Sequence, residues 1–180
     1  LDVLAETGTH IAHCPSSNLK LASDIADMLR YDRLGVQVSL GADGAPCNNN
    51  LDGFVEMRLA ALIQKPFHGP DAMPAERVIR LATIDGAKAL GIDDEVGSVE
   101  AGKSADLIVV DLDADPGASP GGDPHARLVY SAHRSNVSHV FAAGRQLVRG
   151  GELVGADVGR IIEDARQAQQ SVVARMEELK

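Results

Sequence analysis

Tryptophan is absent from this chain, and aromatic residues make up only 3% of its 180 positions. So few aromatics leave no base-stacking platform and no aromatic cage for a cation. Basic residues are also scarce: 17 Lys and Arg stand against 26 Asp and Glu, for a net charge of −9. That balance carries no electrostatic footprint for nucleic acid or an anionic lipid surface. No apolar run approaches the ~20 residues that cross a bilayer, and no signal peptide is expected at the start. Cysteine is limited to Cys14 and Cys47, which are far apart and in no metal-binding spacing. A disulfide framework is not expected, so the cytoplasm is the expected compartment. HxH, HExxH and CxxC are all missing. What remains is a globular chain, 44% hydrophobic, of one domain or two small ones at roughly 100–200 residues each. It is too short for a complete (β/α)8 barrel, which takes about 250 residues.

The chain starts in mid-pattern, at Leu1. LDVLAETG reads as the end of a helix closed by Gly8. Thr9–Cys14 is a short apolar strand, which Pro15-Ser16-Ser17-Asn18 breaks. A helix is expected from about Ser23 to Leu34, ended by Gly35. Residues 36–43, VQVSLGAD, form a second strand, apolar enough to be buried on both faces. The loop GAPCNNN leads into a helix over about 51–64, with Phe54, Met57, Leu59, Ala61 and Leu62 on a broad apolar surface. Glu56 and Arg58 flank that surface and read as structural or solvated. Strand, helix, strand, helix with short connections is the pattern of a parallel sheet. One further helix is expected over 74–91. The composition then changes to a short strand over 106–112, a Gly/Pro-rich loop over about 113–124, a hairpin around Ala143-Gly144, and a charged amphipathic helix from Val158.

Asp43 is the first candidate for chemistry. It stands inside GADG, at the C-terminal end of a buried parallel strand, where α/β folds place ligands and catalytic groups. A turn or helix-cap role suits an Asp there equally well. His13 ends the preceding strand and shares that rim. A histidine there binds a metal, orients a water, contacts substrate, or is simply a satisfied rim residue. Asn18 and Asn48, with Asn49 and Asn50, lie in loops on the same rim. Cys14 and Cys47 have no base partner in the sequence and read as packing residues. His10 and His13 are three apart on a strand, so they face opposite ways and make no metal clip. A catalytic zinc wants three or more protein ligands; the chain offers one.

Four segments in order, HCPSSNLKLASDIADML, VSLGADGAPCNNNLDGFVEMRLAALIQK, ATIDGAKALGI and GSVEAGKSADLIVVDLD, resemble the C-terminal part of the amidohydrolase superfamily. The resemblance covers nearly the whole chain. It is closest to the branch of S-adenosylhomocysteine/methylthioadenosine deaminases, 5′-deoxyadenosine deaminases and triazine chlorohydrolases. It implies an α/β fold: strands seven and eight of a (β/α)8 barrel over residues 1–91, β-sandwich strands over 92–155, and a C-terminal helix over 156–180. Thr9–Cys14 would be strand seven and 36–41 strand eight. Asp43 matches the family aspartate that ligates the metal and moves protons between the attacking water and the leaving group. His13, Asn18 and Asn48 would line the substrate side.

The same resemblance implies a divalent metal, zinc or else iron, and hydrolytic deamination of an adenine nucleoside or related aminated heterocycle. The implied partners are that small molecule and water, with a homo-oligomer in view. The family's histidine ligands and its HxxE glutamate have no counterpart here and would precede Leu1. The expectation is therefore a truncated chain that is inactive alone. The alternatives are a non-catalytic or partner-dependent half, and a hydrolase of triazine, guanine or cytosine rings.

Overall fold

Glycine and proline punctuation sets the element order in the computed structural model, which describes residues 1–113, 116–118 and 121–179. Helix α1 (Asp2–Thr7) stops at Gly8, whose φ of 64° is left-handed. Strand β1 (His10–His13) follows. The Pro15–Asn18 segment is not a plain break. It opens the short helix α2 (Pro15–Lys20), with Pro15 in the first turn, where its missing N–H is no loss. The next helix, α3 (Met28–Leu34), starts five residues later than Ser23. Ala22 and Asp24 hold positive φ, 55° and 78°, which a helix does not accommodate, and Asp27 caps the true start by accepting from the Arg30 N–H. Strand β2 (Gln37–Leu40) then pairs parallel with β1, His10 opposite Gln37 and His13 opposite Leu40.

The GAPCNNN loop contains one helical turn, α4 (Ala45–Asn48). Helix α5 (Gly53–Leu62) is capped by Asp52, and α6 (Lys65–His68) follows. The single helix expected over 74–91 is two, α7 (Ala75–Ala82) and α8 (Ile84–Leu90), divided at Thr83 with φ −128° and ψ −98°. The Thr83 hydroxyl donates to the Ile79 carbonyl at 2.8 Å, a side-chain bond that competes with the helical ladder.

Strand β3 (Leu107–Val110) is followed by helix α9 (Pro124–Tyr130), which the sequence reading does not contain. Part of the 113–124 loop, residues 114, 115, 119 and 120, lies outside the described residues. Strands β4 (Val137–Ala142), β5 (Arg145–Arg149) and β6 (Glu152–Leu153) complete an antiparallel sheet in the order β3-β4-β5-β6. Ala143 and Gly144 turn β4 into β5 with φ of 47° and 77°, the mirror-image turn that suits a hairpin's twist. Helix α10 (Val158–Glu178) has no buried residue. Among the described residues no helix is long and apolar enough to cross a membrane.

The core gathers Met28, Val36, Val38, Ala60, Ala61, Met73, Val78, Leu81 and Val129. It therefore welds α3, β2, α5, α7 and α9 into one body behind the strand pair. The buried Gln64 amide within it is paired, as burial demands. Gln64 accepts from the Met28 N–H at 3.2 Å and donates to the Ala26 carbonyl at 2.8 Å. Arg77 bridges α3 and α8 through Asp32 at 2.9 Å and Asp85 at 2.5 Å.

Candidate functional site

Parallel pairing brings the C-terminal ends of β1 and β2 to one side, so the segments after His13 and Leu40 become neighbours. The pairing runs one residue past β2, where the Gly41 N–H donates to the His13 carbonyl at 2.8 Å. A β-carbon at Gly41 would stand 2.9 Å from Cys14 Sγ, so glycine permits this approach. Two residues on, Asp43 adopts φ 62°. Aspartate tolerates the left-handed region because its side chain can bond locally, and Asp43 Oδ1 accepts from the Gly44 N–H at 2.6 Å. Its Oδ2 accepts from Ser17 Oγ at 2.5 Å. The Ser17 hydroxyl, then the Gly44 amide, hold the exposed Asp43 carboxyl below the usual carboxylate range. It is a fixed, ionised, solvent-facing carboxylate.

A buried layer lies beneath it. Glu56 is 1% exposed. One of its oxygens accepts from the Ser16 N–H at 3.1 Å and the other from Asn48 Nδ2 at 2.8 Å. Asn48 Nδ2 also donates to the Ala42 carbonyl at 2.8 Å. Asn48 Oδ1 accepts from the N–H groups of Asn50 and Leu51, at 3.0 and 2.9 Å. His13 is 2% exposed. Burial lowers its pKa, against the opposing pull of the Glu56 charge. Its Nε2 is buried and has no hydrogen-bond partner in the structure. Burial raises the Cys14 thiol pKa, which keeps it a poor nucleophile.

The four sequence candidates thus gather at one end of the strand pair, in different settings. Asp43 is open to solvent. Asn18 and Asn48 are not loop residues: they belong to α2 and α4, because proline at each helix start favours a turn of helix. Asn48 is buried and its amide is taken up by Glu56 and the backbone around Asp43. His13 lies under the rim. One residue escaped the sequence reading. Ser17 contacts Asp43 across 26 positions, with no local signal. For Glu56 the structure selects the structural alternative over the solvated one: it is buried, as is Ala60 four residues on, and the two share the inward stripe of α5.

Among the described residues no three His, Cys, Asp or Glu side chains come together to hold a metal ion. The Asp43 carboxylate suits one place in a ligand set, being ionised, hard and exposed. A separate groove of about 520 Å3 runs between the strand pair and α8, lined by His10, Ala12, Ser39, Leu40, Thr83 and Leu90 among others. None of the four candidates lines it.

A 5-methylthioadenosine/S-adenosylhomocysteine deaminase of Moorella thermoacetica is 46% identical over 160 residues, covering 88% of this chain and 37% of that protein. A 5′-deoxyadenosine deaminase of Methanosarcina mazei is 42% identical over 177 residues, covering 98% and 40%. The chain therefore spans about two fifths of the length of these relatives. An adenosine deaminase structure from Xanthomonas campestris with bound zinc superposes with a TM-score of 0.91 at 38% identity, over 96% of this chain and 39% of that one. A zinc-containing atrazine chlorohydrolase from Arthrobacter aurescens gives 0.83 at 29%, over 92% and 37%. The amidohydrolase family itself matches residues 1–147, and to that family this chain belongs.

Proposed function

We propose that the protein is a metal-dependent hydrolase of C–N bonds that deaminates an adenine nucleoside or a related aminated heterocycle. The observation that carries this reading is the Asp43 carboxylate, ionised and fixed by Ser17 and Gly44 at the end of a parallel strand pair. The deaminase names of the relatives support the substrate class. In this reading β1 and β2 are strands seven and eight of a (β/α)8 barrel. Residues 92–155 contribute to a β-sandwich, and α10 (Val158–Glu178) is the closing helix. The cytoplasm suits a chain with two free cysteines.

Asp43 would be one ligand of a divalent cation, zinc in preference to iron given the zinc-bearing neighbours. Such a cation lowers the pKa of water and polarises the substrate. Asp43 itself accepts a proton from the attacking water, since its carboxyl is ionised at neutral pH, and passes it to the departing amine. Ser17 holds the carboxylate in place by donating to Oδ2. His13 and Glu56 sit behind the rim, and Asn18 faces the substrate side.

Release of ammonia from 5′-deoxyadenosine, 5-methylthioadenosine and S-adenosylhomocysteine by a protein that joins these 180 residues to the remaining length of the relatives, with and without Asp43→Ala, is the test. Turnover on these nucleosides that Asp43→Ala abolishes is the expected result. Near-normal activity in that variant would sink the Asp43 assignment. A second reading, displacement from a triazine ring, has the atrazine chlorohydrolase likeness behind it. Turnover of a chlorotriazine with none of the nucleosides would favour it.

A further inference from the structure

We infer that Glu56 is a positioning residue that sets the aim of the Asp43 carboxylate, an inference that rests on Asp43 as a metal ligand. The hydrogen bonds close a ring through α2 and α4, two short helices distant in sequence. From Glu56 one arm runs to the Ser16 N–H, and the adjoining Ser17 hydroxyl reaches Asp43 Oδ2. The other arm runs to Asn48 Nδ2, which also holds the carbonyl of Ala42, the residue before Asp43. Asp43 is thereby gripped at its carboxylate from α2 and at its backbone from α4. Both grips are referred to the same buried side chain.

The chemistry at position 56 demands a carboxylate. Two donors converge on it from different helices, α2 and α4, so it must present two acceptor oxygens and no hydrogen. Glutamine would satisfy one donor and turn an N–H toward the other. Among the described residues no Lys or Arg pairs with Glu56. Its charge is met by hydrogen bonds from α2 and α4, so the carboxylate is a common anchor for these two helices.

The test measures Zn2+ affinity by competition with a chelator, beside kcat and KM, in a Zn2+-loaded protein that joins these 180 residues to the remaining length of the relatives, because among the described residues Asp43 is the one ligand offered. Glu56→Gln is compared with the milder Glu56→Asp, which keeps the charge but falls short of one donor, and with Asp43→Asn. Circular dichroism confirms that each is folded at the assay temperature. For Glu56→Gln the expected result is Zn2+ affinity about 10- to 100-fold weaker, the range for residues that orient a metal ligand. A lower kcat should accompany it, with KM within about threefold. Glu56→Asp moves the same way by less, and carries the test if Glu56→Gln does not fold. A merely structural role lowers the melting temperature and leaves the Zn2+ affinity of the folded protein unchanged. Folded Glu56 variants that match the parent while Asp43→Asn loses Zn2+ and turnover would overturn the positioning role alone. Asp43→Asn that keeps both would overturn the metal-ligand reading and this inference with it.

Discussion

Replacing Asp43 by alanine puts a residue with no local acceptor at φ 62° and strips the buried Ser17 hydroxyl of its partner. Stability should fall by about 1–2 kcal/mol. Turnover should fall at least about 10²-fold, the contribution of a positioned proton acceptor. Thermal melts beside steady-state kinetics check both halves. His13 makes a different forecast. Burial lowers its pKa below the ordinary 6.5, so the unfolded chain takes up a proton at this residue before the folded one does. Its stabilising contribution is present above the unfolded value and is lost as pH falls through the folded value. Urea melts from about pH 7 down to about pH 5 should show this loss, and His13→Gln should flatten it. Cys14→Ser and Cys47→Ser should leave activity largely intact; collapse to background would reveal a catalytic thiol. Asp43 was legible in the sequence because GADG ends an apolar strand. Ser17 was not, since its contact with Asp43 exists only once β1 and β2 have paired.

Among the elements, α3 depends on its cap. Asp27 accepts from the Arg30 N–H at 3.0 Å and also meets His68 Nε2 at 3.1 Å. Asp27→Ala should cost about 1 kcal/mol, the usual worth of an N-cap, read as a shift in the denaturation midpoint. The turn at Gly97 is more exacting. Its φ is 92°, and a β-carbon there would stand 2.7 Å from Ala87 Cβ and 3.0 Å from Ile84 Cα. Gly97→Ala should destabilise by about 1–3 kcal/mol through strain and overpacking together. Legibility followed element length and local punctuation. The βαβα order, the Gly8 and Gly35 stops and the Ala143-Gly144 hairpin all carry local signals. Helix α9 has seven residues, too few for propensity to sustain alone. It is held by the burial of Val129 and by Arg58 Nη1, which donates to the Tyr130 carbonyl. The break at Thr83 was hidden for a similar reason: residues 74–91 keep helical composition throughout, and one hydroxyl divides them.

At the scale of the whole molecule, two sheets of opposite character sit in one chain: a parallel pair and a four-stranded antiparallel sheet. Composition announced the change between them, as apolar strand-and-helix units gave way to turn-rich short strands after residue 91. The function of the whole was legible only through resemblance, because one carboxylate does not make a metal site. Equilibrium dialysis of the 180-residue chain against Zn2+ should therefore show no tight stoichiometric site; one Zn2+ per chain at micromolar free metal would contradict that.

The ring that joins Glu56, Asn48, Ala42, Asp43, Ser17 and Ser16 also has a thermodynamic consequence. The rotamer and backbone freedom around Asp43 is surrendered when the protein folds, not when a cation arrives. Association at this carboxylate then meets a ready-made partner and loses little conformational entropy. Cutting the ring returns that freedom to the unbound state, so a calorimeter should record the damage chiefly as a less favourable binding entropy.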